Sequence, residues 1–199
     1  IKTLGKYQSK VQLGINPESI VVAIGYNRME AQQHDKVLEV LGGIPEEVLK
    51  KITLVLPFTY GECTDDYETK VLTLLHDLPS ANLVVRGFQT ADRVAVIRLA
   101  TDIYINAQTT DAFSASVQEY LYAGALLLNP VWLEYYELKG WGIYYQEYQN
   151  FCDLPVLLEK VVWEGLPDLH ENAKVLESKT SWSAVRQSWL DIYQQKNTF

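Results

Sequence analysis

Residues 102–129 read D-I-Y-I-N-A-Q-T-T-D-A-F-S-A-S-V-Q-E-Y-L-Y-A-G-A-L-L-L-N, and their order decides the fold. Residues 102–106 are a short β-rich apolar run, 111–124 carry a helical pattern ended by Gly124, and 125–129 are apolar again. A strand without polar alternation is covered on both faces, and a helix between two such strands is a parallel crossover. The middle piece also carries chemistry. Asp111 precedes the helix, Glu119 lies inside it, and Ser114, Ala115 and Ser116 form a small, hydroxyl-bearing first turn. The N–H groups and the macrodipole at such a turn favour an anion. Two carboxylates around that seat suit a ligand with hydroxyls on both sides of a diphosphate.

The same alternation extends outward. Residues 19–25, 52–56 and 82–86 read as further strands, and 142–145 as a sixth. Helical patterns occupy 31–41, 65–78 and 91–100, the first stopped by Gly42 and Gly43. This is the pattern of an α/β fold: a doubly wound, mostly parallel Rossmann-like sheet of about six strands with helices on both faces. From about residue 154 the chain reads helical, with Trp163, Trp182, Trp189 and Tyr193 expected as packing anchors. Residues 1–17 read as a polar leading segment or linker closed by Asn16-Pro17, and 18–199 as one domain.

Composition narrows the function classes. The chain has 199 residues, 48% of them hydrophobic, enough for a large core. A net charge of −8 excludes a nucleic-acid partner, which demands clustered Lys and Arg. No apolar run reaches the length of a membrane-spanning helix. Cys63 and Cys152 are far apart and read as free thiols of a reducing compartment, hence the cytoplasm. The Cys and His spacing holds no metal-ligand constellation.

In open α/β sheets ligands bind outside the carboxyl ends of the strands. The residues that follow the strands are Gly25-Tyr26-Asn27-Arg28, Phe58-Thr59-Tyr60-Gly61, Gly87-Phe88-Gln89, 107–111 and Asn129-Pro130. One Arg, small, aromatic and amide side chains and a carboxylate, with Glu119 from the next helix, suit a phosphate-bearing, hydroxyl-rich ligand such as a nucleotide-sugar. Asp111 fits either a cap for the following helix or a sugar contact. Tyr60 fits either a stacking platform or the core. The tyrosine-rich stretch 135–148 reads as a packing and interface surface.

The order of strand, Asp111-x7-Glu119, a helix ending in Ala123-Gly124 and an apolar strand resembles the donor-binding half of GT-B glycosyltransferases. Retaining-type, group 1 members carry Glu-x7-Glu and a helix ending in Ala-Gly. Ala100-Thr101-Asp102-Ile103-Tyr104-Ile105 looks like the family's Ala-Asp-hydrophobic strand opening, and Arg86-Gly87-Phe88 like the turn bordering the nucleobase. Asn27-Arg28 followed by Gln32-Gln33-His34, together with Phe58-Thr59-Tyr60-Gly61, is also similar to bacterial lipid-linked aminosugar fucosyltransferases, which act with inversion. The chain departs from the family in two places. Asp111 stands where a Glu is usual, and the Arg and Lys pair after the first strand has Arg28 for its cation and Gln32 or Gln33 near the Lys.

The resemblance implies a nucleotide-diphosphate sugar as donor. Glu119 would hold ribose hydroxyls, and Asp111 the sugar. Ser114, Ala115 and Ser116 would hold the diphosphate with Arg28, while Gly87, Phe88 and Tyr60 border the base. It implies no metal or other cofactor. A full GT-B enzyme has an acceptor domain of similar size, so the chain is expected to be the donor half of a longer enzyme of bacterial polysaccharide biosynthesis. That enzyme would use a glycan or lipid-linked acceptor and touch the inner membrane through its other domain. Two other readings stand beside it: a non-catalytic GT-B-like partner assisting another glycosyltransferase, and a nucleotide-sugar epimerase.

Overall fold

A computed structural model of the chain describes residues 4–195. The first three residues of the leading segment and the last four of the C-terminal region lie outside the described residues. Six strands form one parallel sheet: β1 (Ile20–Ile24), β2 (Ile52–Leu56), β3 (Ala81–Val84), β4 (Ile103–Ile105), β5 (Leu126–Pro130) and β6 (Gln146–Tyr148), in the order β3-β2-β1-β4-β5-β6. This is the doubly wound order expected of alternating strands and helices.

The apolar-throughout strands explain themselves in the core. Val22, Ile24, Ile52, Leu54, Leu56, Ile103, Ile105, Leu126 and Leu128 point to one face. There they meet α2 (His34–Leu41), α3 (Glu46–Leu49), α4 (Asp65–Asp77) and α8 (Leu154–Glu164). Val21, Ala23, Val55, Tyr104 and Leu127 point to the other, against α5 (Ala91–Ala100), α6 (Ala115–Tyr122), α7 (Tyr136–Trp141) and α9 (His170–Thr180). Alternate residues of one strand therefore feed two cores, as the pleat requires.

Four expectations are corrected. The sixth strand is Gln146–Tyr148, not 142–145. Gly142, at φ 71°, ends α7 in the left-handed conformation, and Asn172 of α9 holds the backbone of Tyr144 through its side-chain amide (2.9 and 2.7 Å). An edge strand with a single buried residue, Tyr148, carries little apolar signal. The helix expected over 31–41 is a 3-10 turn (Glu30–Gln32) and α2, separated by Gln33 in the left-handed region at φ 51°. The leading segment is no free linker over its described part. α1 (Lys6–Gln12) packs on α5, and its Lys6 and Lys10 reach Asp102 at 3.1 and 2.7 Å. The aromatic residues expected as anchors stand out in solvent, Trp189 of α10 (Trp182–Gln195) at 48% exposure and Trp163, Trp182 and Tyr193 higher. Among the described residues no helix is long and apolar enough to cross a membrane. Both cysteines are free.

Candidate functional site

The sheet order reverses between β1 and β4, so the loops leaving their carboxyl ends diverge and open a crevice. A cleft of about 290 Å³ lies there. Its walls are Tyr26 after β1, Pro57, Thr59 and Tyr60 after β2, Phe88 and Gln89 after β3, Val94, Ile97 and Arg98 of α5, and Ala115, Ser116 and Glu119 of α6.

One wall is aromatic. Tyr26 and Tyr60 stand with ring centroids 6.4 Å apart, and Tyr60 and Phe88 6.3 Å apart. Phe88 is 91% exposed, an arrangement that costs apolar hydration and leaves a bare ring face at the mouth of the cleft. Gly87, at φ 70°, makes the sharp turn that lifts it there, and the Gln89 amide donates to the Arg86 and Gly87 carbonyls (2.7 and 3.1 Å) to hold that turn.

The opposite wall holds the charge. Arg98 is buried on α5, on the same helix face as Val94 and Ile97. Its guanidinium carbon lies 4.0 Å over the Tyr120 ring, which stacks on Tyr104 at 4.0 Å and 14°. Arg98 Nε donates to Glu119 Oε2 (3.2 Å) and Nη2 to Ser116 Oγ (3.1 Å). The Glu119 side chain is half-exposed toward the cleft.

The N-terminus of α6 is built by its own sequence. Ser114 is the N-cap, its Oγ accepting from the Val117 N–H (3.4 Å). Asp111 lies three residues earlier and is not the cap. Its Oδ1 accepts from the Ala112 N–H (3.0 Å), and its Oδ2 from the Ser114 N–H (3.1 Å) and the Tyr135 hydroxyl (2.5 Å). Tyr135 in turn accepts from Asn106 Nδ2 (2.9 Å). Burial and the Asp111 contact both push the Tyr135 phenol up, so it remains a donor. Asp111 thus closes the loop that brings Phe113, at φ 60°, into α6. Among the described residues the N–H groups of Ala115 and Ser116 face the start of the helix without a partner of this kind, so any anion would meet those two groups rather than the whole first turn.

The β1 side is organised differently. Gly25 has φ 63°, and a Cβ there would stand 2.8 Å from both Gln32 Oε1 and His34 Nε2. Gln32 Oε1 accepts from the Tyr26 N–H (3.1 Å), which fixes the turn. Arg28 ties two loops together: its backbone N–H donates to Tyr60 O (3.0 Å) and its Nε to Gly61 O (2.7 Å). His34 is fully buried. The Tyr67 hydroxyl accepts from the His34 backbone N–H (2.9 Å) and lies 3.1 Å from Nδ1. Nε2 is buried on the other side of the ring, against Gly25. Burial pushes the His34 pKa down to about 4.

The structure therefore brings Tyr60, Phe88, Ala115, Ser116 and Glu119 to one cleft. Ser114 caps the helix beside it and Gly87 shapes its mouth. Arg28 and Asp111 do not line it. Tyr26, Thr59 and Gln89, which the sequence places in the segments after the strands, line it too, as does Arg98, which was not singled out in the sequence. For Arg98 the signal was there: an Arg four residues after Val94 and one after Ile97 shares the apolar face of its helix. Among the described residues no group of three His, Cys, Asp or Glu side chains converges as a metal site.

Sequence comparison matches the chain to no family model and to no curated protein. Structural comparison matches it to glycosyltransferase-type folds. Anabaena HepE in complex with UDP-glucose aligns over 96% of this chain and 52% of its own, with a TM-score of 0.73 and 13% identity. Sucrose-phosphate synthase from Thermosynechococcus elongatus aligns over 94% and 48%, with a TM-score of 0.72 and 15% identity. WaaG, a glycosyltransferase involved in lipopolysaccharide biosynthesis, aligns over 89% and 46%, with a TM-score of 0.59 and 14% identity. The chain spans about half the length of these proteins. At such identities the likeness is one of fold: a parallel six-stranded α/β Rossmann-like unit of the kind found in those glycosyltransferases.

Proposed function

We propose that the chain is the donor-binding half of a glycosyltransferase that moves a sugar from a nucleotide-diphosphate sugar to a glycan or lipid-linked acceptor. The observation that carries this reading is the cleft at the β1–β4 switch point, where a half-exposed carboxylate, a helix N-terminus and an aromatic wall converge. Glu119 accepts from the ribose hydroxyls. The Ala115 and Ser116 N–H groups and the Ser116 hydroxyl receive phosphate oxygens, and Tyr60 and Phe88 cover the base. As the anomeric C–O bond breaks, the leaving diphosphate takes the electron pair, and those donors stabilise its charge. Asp111 stands at the sugar end and Arg28 on the neighbouring loop supplies positive potential. The acceptor, its binding domain and the base that takes its proton belong to the other half, as does any contact with the inner membrane. The likenesses to retaining-type group 1 enzymes and to inverting lipid-linked aminosugar fucosyltransferases both fit this reading.

Calorimetric titration with UDP, GDP, dTDP and their sugars tests it. Saturable binding is expected, weakened by Glu119→Ala. Absence of binding at millimolar ligand refutes the donor reading, and binding unchanged in both Glu119→Ala and Arg28→Ala refutes the placement of the site. A second reading, a GT-B-like partner that no longer handles a donor, is favoured by one observation: Asp111 and Arg28 are both engaged in holding their own loops. It requires that no nucleotide bind.

A further inference from the structure

We infer that Arg98 is a positioning residue that prepares Glu119 as an acceptor and Ser116 as a donor, and so makes the cleft selective for a ribonucleoside over a 2′-deoxyribonucleoside diphosphate. This rests on the proposed donor reading and deepens it.

The argument begins with an unequal ion pair. The Arg98 side chain is 9% exposed, whereas that of Glu119, its partner, is 50% exposed. Burying a guanidinium to meet a half-solvated carboxylate is a poor source of stability, because desolvation of the cation offsets most of the attraction. An apolar side chain between Val94, Ile97 and Tyr120 would serve packing better. What the Arg supplies is orientation. Stacked over Tyr120, itself stacked on Tyr104, the guanidinium plane has no freedom to turn. Its Nε and Nη2 then reach two side chains three residues apart on one face of α6.

Each contact has a chemical consequence. Nε occupies one lone pair of Glu119 Oε2, which holds the carboxylate plane and leaves Oε1 to the cleft, so a vicinal diol meets a fixed acceptor rather than a rotating one. Nη2 donates to Ser116 Oγ, so the serine hydroxyl proton points elsewhere and Ser116 becomes a donor, suited to a phosphate oxygen. One buried cation therefore sets the polarity of two neighbouring groups, an acceptor for hydroxyls and a donor for an anion.

The test is calorimetry of UDP and 2′-deoxy-UDP with the full chain, comparing the unmodified protein with Arg98→Lys, Arg98→Met, Glu119→Ala and Arg98→Met/Glu119→Ala, each checked for a native thermal transition. Arg98→Met should weaken UDP about tenfold, the worth of one charge-assisted hydrogen bond. It should weaken 2′-deoxy-UDP by a smaller factor, the share that acts through Ser116 on the phosphate, and that smaller factor is all it should add to Glu119→Ala. Arg98→Lys keeps the charge without the fork, and should fold and give the same loss of ribose discrimination. Equal losses for the two nucleotides, or a full tenfold loss added to Glu119→Ala, overturn the assignment of Arg98 while leaving the donor reading intact. No binding of either nucleotide to the unmodified chain overturns the donor reading and this inference with it.

Discussion

Mild acid should loosen this fold through His34. The ring is fully buried, edge-on to Phe58 at 5.2 Å, with Nδ1 3.1 Å from the Tyr67 hydroxyl and Nε2 behind Gly25. Asp35 and the Asn27 backbone favour its protonated form, while the neighbouring Tyr67 phenol is itself pushed up by burial and stays neutral. Burial wins, and the folded pKa falls from 6.5 to about 4. The sign follows from proton counting. Between those two values the unfolded chain binds a proton that the folded chain does not, so stability is complete above the unfolded pKa and is lost as pH falls. A drop of about 2.5 units corresponds to about 3 kcal/mol in all, of which about 2 kcal/mol disappears between pH 7 and pH 5. Urea denaturation of the wild-type chain and of His34→Gln at both pH values isolates this residue. The exposed His76 and His170 are common to both proteins and cancel. The expected result is a wild-type slope steeper than the variant's by about 2 kcal/mol over that interval. Parallel pH dependences would refute the reasoning.

Two further perturbations follow from the same structure. Asp102 accepts from the Val21 N–H at 2.8 Å and pairs with Lys10, whose side chain is 8% exposed, so Asp102→Asn leaves a buried ammonium without its counterion. We expect a loss of about 3 kcal/mol in urea denaturation, and a loss below about 1 kcal/mol would show that the pair is dispensable. In the cleft, Phe88→Ala should weaken nucleotide diphosphates roughly fivefold by calorimetry without lowering the thermal midpoint, because the ring stacks on ligand and not on the core. Unchanged affinity would remove the aromatic wall from the site.

Much of this architecture was legible because the cause is local. Strands such as Ile52–Leu56 are apolar at every position, which holds only for a sheet covered on both sides, and Gly124 and Gly142 stand where helices end with positive φ. The leading segment was misread for a physical reason: Lys6 and Lys10 look solvated in sequence, and only the Asp102 carboxylate, more than ninety positions later, gives them a buried role. β6 was displaced because an edge strand needs few apolar residues, and the late aromatic residues did not become anchors because nothing in the described fold covers them.

The site divides along the same line. The sequence by itself determined that strands alternate with helices, that ligands belong at the strand carboxyl ends, and that Glu119, Ser116, Tyr60 and Phe88 stand at those ends, since each depends on spacing within one element and its turn. Tertiary structure alone decided which of them meet. Asp111 turns inward to Tyr135 and its own loop, Arg28 bridges the β1 and β2 loops, and Arg98 lies on Tyr120 with its donors on Glu119 and Ser116. Hydrogen-bond partners separated by eighteen or more residues depend on where the sheet order reverses, and no local pattern encodes that.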